Sequence, residues 1–123
     1  MESENVEIYV RPVDWDSDGI PEGPPRHTIF RDWNGEYHEH SVTAQKTIKI
    51  LHGSLDKLSP ATQWYFAHRH PVSRKVVCVN KKNFFEAMHA FTSRHDGKNY
   101  HVLNFSTNCI GFKRYVLKRS LLG

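Results

Sequence analysis

Cysteine is scarce in this chain, with only Cys78 and Cys109 among 123 residues. Two thiols cannot build a disulfide framework, so a reducing compartment is the expectation. Long apolar runs are also lacking. None reaches the length of a membrane-spanning helix, and the acidic start lacks the basic-then-apolar order of a signal peptide. Acidic residues are nearly missing beyond residue 40. Residues 41–123 hold Asp56, Glu86 and Asp96 against fourteen basic residues, a net of +11. Residues 1–40 hold ten acidic residues against Arg11, Arg26 and Arg31, a net of −7. A basic body of this kind attracts phosphate, from RNA backbone or from an anionic membrane surface, or it is simply a solvated face.

The residues that are present describe an α+β domain. Residues 7–13 have strand composition, with Pro12 marking an edge strand or a strand end. Residues 14–26 are rich in Pro, Gly and Asp and read as a loop, which divides an acidic N-terminal segment, 1–26, from a domain over 27–123. Asn34-Gly35 suits a tight hairpin with positive φ at both positions, joining strands 27–33 and 36–42. In residues 43–52, alternation and helical spacing both fit, so periodicity leaves strand and helix open. Ser59-Pro60 opens a helix, and Val76-Val77-Cys78-Val79 reads as a short buried strand. Asn83 and Glu86 have capping-box spacing ahead of a face made by Phe84, Phe85, Met88 and Phe91, ended by Asp96-Gly97. Residues 100–105 form the last strand. Thr107 or Asn108 caps a final helix whose inner face is Cys109, Phe112 and Val116.

Cys109 is the residue with chemical promise. A thiol acts as a nucleophile only as thiolate, and a helix N-terminus with a nearby imidazole favours that form. A cysteine on the inner face of a helix is equally a small hydrophobe. The run Tyr100-His-Val-Leu-Asn-Phe-Ser-Thr-Asn108-Cys109-Ile-Gly-Phe112 resembles the NC box of the lecithin:retinol acyltransferase-like (H-box/NC) family. Ile29-Phe30-Arg31, followed by Tyr37 and His40, is similar to that family's H-box, and His52 follows His40 by the family's spacing of twelve. The resemblance covers residues 27–118. It implies an antiparallel sheet with packed helices in a permuted papain-like arrangement, and it implies strands over 41–46 and 47–52. It also implies roles: Cys109 as nucleophile, His40 as general base, His52 as the residue orienting the imidazole, and Asn108 as the motif residue at the cap. The implied chemistry is acyl transfer from phospholipid through a thioester, with no cofactor and no metal.

The chain departs from the cellular enzymes of the family. Ile110-Gly111 replaces a Glu-His pair, Ser41 replaces the aromatic after the H-box histidine, and no hydrophobic anchor precedes Gly123. In this it is similar to the picornaviral 2A proteins of H-box/NC type found in parechoviruses and kobuviruses. That branch implies work in viral RNA replication in the host cytoplasm, at replication membranes, with host or viral replication proteins as partners. An active cellular-type thiol phospholipase or acyltransferase is the further alternative.

Other readings compete. A binding module without chemistry would use Lys113, Arg114, Lys118 and Arg119 on the final helix, with Lys81 and Lys82, to hold RNA or anionic lipid; exposed Trp64 or Tyr115 could add stacking. The charges of Lys118 and Arg119 also suit a helix C-terminus for purely local reasons. Nine histidines suggest zinc, yet there is no Cys-x-x-Cys, and His68-Arg69-His70 lies in a loop beside Pro71. His38-Glu39-His40 and Tyr115…Lys118 have the outline of the two boxes of rolling-circle nickases, but Glu39 stands where an apolar residue is needed. His38 itself reads as a solvent-facing hairpin residue.

Overall fold

The computed structural model describes residues 2–14, 20–23, 25–43, 45–68, 73–100 and 109–122, with backbone alone at 25, 73, 109 and 110. The described strands are β1 (Ser3–Pro12), β2 (Pro25–Arg31), β3 (Tyr37–Val42), β4 (Ile48–Gly53) and β5 (Ser73–Asn80). They form one sheet in the order β4-β3-β2-β1-β5, antiparallel throughout. Helices α1 (Pro60–His68), α2 (Lys81–His95) and α3 (Cys109–Ser120) accompany a single 3-10 turn at Leu55–Lys57. The class is α+β, with an antiparallel sheet and packed helices.

Side-chain alternation gives the sheet two covered faces. On one face Val6, Ile8, Phe30, Ile48, Ile50 and Val79 meet Phe84, Met88 and Phe91 of α2 and Phe112 and Val116 of α3. Phe30, Phe84, Phe91 and Phe112 are fully buried, and each contributes roughly 1.5–3 kcal/mol by leaving water. On the other face Tyr9, Ile29 and Leu58 pack with Leu51, Leu55 and Phe66.

Several elements differ from the sequence reading. β1 lies inside the sheet, paired to β2 and β5, and Pro12 ends it at an irregularity between Arg11 and Pro12. Residues 3–12 and 25–53 therefore share one sheet. β5 is an edge strand and only half buried: Val79 is covered, while Val76 is 50% exposed and Cys78 is exposed. A continuous apolar run misled here, because strand alternation puts Val76 and Cys78, with their register partners Glu7 and Asn5, on the face opposite Val77 and Val79. Residues 48–53 form a strand, in line with the one implied over 47–52, whereas in the one implied over 41–46 only Ser41 and Val42 are in a strand, as the end of β3, and the described residues 43, 45 and 46 are in none. β4 pairs with β3 from Tyr37↔Gly53 to Val42↔Ile48.

The β2–β3 hairpin is also built differently. The amide of Asp32 donates to Glu36 O at 2.9 Å, leaving a three-residue loop, and within it only Gly35 has positive φ, at 81°. The turn is thus the type that ends in one left-handed residue, and Asn34 needs no unusual backbone. The cap of α2 is Asn80, whose side chain accepts the Asn83 amide at 2.8 Å; the capping box at Asn83–Glu86 lies one turn too late. Phe85 is 39% exposed and leans on Trp33 at 4.9 Å between ring centroids, so Ala87 takes its expected place on the buried face.

Candidate thiol–imidazole site

Cys109 is the first residue of α3, the position at which the peptide dipoles concentrate positive potential. The first turn of α3 contains no acidic residue to offset that field. One turn later Phe112 is fully buried, and its ring lies 6.0 Å from the ring of His40. The opening turn of α3 therefore packs on β3 where His40 stands. Of the strand expected over 100–105 only Tyr100 is described, and it is in no strand; the remainder, Asn108 and the side chain of Cys109 lie outside the described residues.

His40 lies on the helix-covered face of the sheet and is 2% exposed. Phe91, Tyr100 and Phe112 surround it, with centroids 6.1, 6.2 and 6.0 Å away. Its register partner is Ile50. His52 is exposed and sits directly opposite His38, with their rings 6.5 Å apart and 13° from parallel. The histidine spacing of twelve thus places His52 diagonal to His40 on the same face, while the imidazole facing it is His38.

His38 is buried, contrary to its reading as a solvent-facing residue. Its Nε2 lies 2.8 Å from Asp32 Oδ2. Asp32 Oδ1 accepts the amides of Asn34 and Glu36 at 2.8 and 3.1 Å, so one carboxylate closes the hairpin and holds the imidazole. Asp32, Glu36 and His38 bring ligand atoms within 4.8 Å of one another, the only grouping among the described residues that could hold a metal ion. Asp32 is already engaged through both oxygens.

Between the two histidines, Glu39 points to the opposite face and is completely buried. There it receives the Ser59 amide at 2.8 Å, the Ser59 hydroxyl at 2.9 Å and the Thr62 hydroxyl, and it lies 2.6 Å from His27 Nε2 and 3.5 Å from Arg11 Nη2. Arg11 Nε in turn donates to Thr62 at 2.7 Å. Burial alone would raise the pKa of Glu39, but the hydrogen bond from His27, its charge when protonated, and the Ser59 and Thr62 donors hold it at about 2. His27 is pushed below the usual imidazole range by burial first and by the Arg11 charge second. This cluster pins α1 to the sheet. The sequence signal was there: strand alternation puts Glu39 on the face away from both histidines, where only a fully satisfied carboxylate survives.

The basic residues divide in space. Lys81 pairs with Glu2 at 3.5 Å and Lys82 with Glu86 at 3.8 Å. Glu7, on β1, lies 3.7 Å from Arg31 and pairs with Arg74 of β5. Arg119 stacks on Tyr115, its guanidinium 3.6 Å from the ring centroid. Lys113, Arg114 and Lys118 of α3 have no described carboxylate within 4.0 Å. Among the described residues, no helix is long and apolar enough to cross a membrane. No family model, no curated protein and no solved structure matches the chain.

Proposed function

We propose that the chain is an H-box/NC-type protein of the viral 2A kind, with a thiol–imidazole site of acyl-transfer ancestry. On this reading it serves viral RNA replication in the host cytoplasm, and turnover is secondary. The observation that supports the reading is the packing of the α3 opening turn on His40 through Phe112. A cysteine at a helix start with an imidazole beneath that turn is the pairing that thiolate chemistry requires.

If the site reacts, His40 accepts the Cys109 proton and the sulfur attacks an ester carbonyl. The alcohol leaves with the proton returned by His40, and water or an acceptor alcohol then releases the acyl group from the thioester. The surroundings of His40 fit a degenerate site. Three rings close around it, which leaves little room for a substrate at the imidazole.

Competitive iodoacetamide labelling tests the reading, because Cys78 is an exposed internal reference. Cys109 is expected to label much faster than Cys78, and His40→Gln, close in size to the imidazole, is expected to slow Cys109 alone. Equal, sluggish labelling of both thiols in a folded wild-type protein would rule out an activated thiol.

A further inference from the structure

Beyond the thiol, α3 has a second face. Lys113 and Leu117 lie one turn apart, as do Arg114 and Lys118, so these four side chains share one side of the helix. They face β1 and β2 across a cavity of about 530 Å³. Val10, Thr28 and Leu117 supply its inner wall, and Arg26, Lys113, Arg114 and Lys118 supply the remainder of the lining. Its volume falls within the roughly 300–1,000 Å³ of small-molecule sites.

The pairing of charges elsewhere makes this patch distinctive. Glu7 of β1 pairs with Arg31 and Arg74, and Glu2, just before β1, pairs with Lys81, so part of the charge asymmetry of the sequence is offset on that side of the sheet. It does not cancel on α3, where Lys113, Arg114 and Lys118 have no described acidic partner. Cations around an apolar wall are complementary to one chemistry, an anionic head on a hydrocarbon chain. A single-stranded nucleic acid would need aromatic platforms for its bases, and none of the described residues lining the cavity is aromatic.

The geometry points to a binding site for a single-chain anionic amphiphile between α3 and the β1–β2 face, its head held by Lys113, Arg114 and Lys118 and its chain against Val10 and Leu117. The proposal does not depend on the thiol being reactive.

Calorimetric titration of the full chain with monomeric dodecyl phosphate, below its micelle threshold, tests this. Inorganic phosphate, dodecanol and a ten-residue oligouridylate serve as separate arms. Saturable one-to-one binding of dodecyl phosphate is expected, with both phosphate and dodecanol at least about tenfold weaker, since each lacks one half of the recognition. Arg114 and Lys118 are exposed, so Arg114→Glu with Lys118→Glu keeps the fold while weakening dodecyl phosphate by about tenfold or more. Leu117→Gln is expected to weaken dodecyl phosphate and leave inorganic phosphate unchanged. Equal affinity for inorganic phosphate, tighter binding of oligouridylate, or no dodecyl phosphate binding by a folded protein would each overturn the proposal.

Discussion

His38 and His52 face one another across the β3–β4 pair, yet only His38 is locked, by Asp32 at 2.8 Å. Replacing the two should therefore have unequal effects. His38→Ala leaves the buried Asp32 oxygen without its partner and is expected to cost about 1–3 kcal/mol. His52→Ala, at an exposed position, should stay within about 0.5 kcal/mol of wild type. Urea denaturation of both variants measures the difference.

The Glu39 cluster makes stability depend on pH in two stages. His27 has a lowered folded pKa, so its contribution is complete above its usual value of 6.5 and is lost as the pH falls below that. Glu39 is also lowered, from 4.5 to about 2, so its contribution is complete above 4.5 and declines as the pH falls towards 2. The urea midpoint of the wild type should fall through both windows. His27→Gln should flatten the upper stage and also shrink the lower, because His27 is the first of the groups that hold the Glu39 carboxyl down. Glu39→Ala should cost about 3–5 kcal/mol at neutral pH, because Arg11 is then buried without its carboxylate.

Gly35 carries the hairpin. Gly35→Ala should cost about 1–2 kcal/mol through its φ of +81°, since an added Cβ would meet nothing closer than Arg31 Nη2 at 3.6 Å. Asn34→Ala, at a position with ordinary φ, should cost less. A larger loss at Asn34 would mean that the turn is the two-residue type with both central residues left-handed.

Asn80→Ala should cost about 1 kcal/mol by uncapping α2, whereas Asn83→Ala should be nearly neutral. Thermal melting of the two variants decides which asparagine is the cap.

Much of the fold was legible in local chemistry. Ser59-Pro60 does open α1, Gly97 with φ of +79° follows α2, and Phe112 with Val116 is the buried stripe of α3. Position within the sheet was not legible. The burial of Val76-Val77-Cys78-Val79 depends on which strand is outermost, and that is set by β1 pairing with β5 across some seventy residues of sequence. The candidate site was legible in part. Register puts His40 and His52 on one face, as spacing required, but the neighbour of His52 depends on where the β3–β4 turn falls. The Glu39 cluster escaped because its partners Arg11, His27, and Ser59 with Thr62 come from three separate stretches of chain.

The outer rims of the sheet are covered in part by the chain itself. Beside β4, the Ile48 amide donates to Lys98 O at 2.8 Å, the Gly97 amide to Ile48 O at 2.7 Å, and the Ile50 amide to Asp96 Oδ1 at 2.7 Å. Beside β5, Val79 bridges to Leu121 and the Leu122 amide donates to Cys78 O at 2.9 Å. The segments leaving α2 and α3 thus occupy hydrogen-bonding groups that would otherwise template a foreign strand. On the β5 side the described bonds reach only Cys78 and Val79 and come from Leu121 and Leu122, so trimming the chain after Ser120 is expected to bare that part of the edge to a foreign strand.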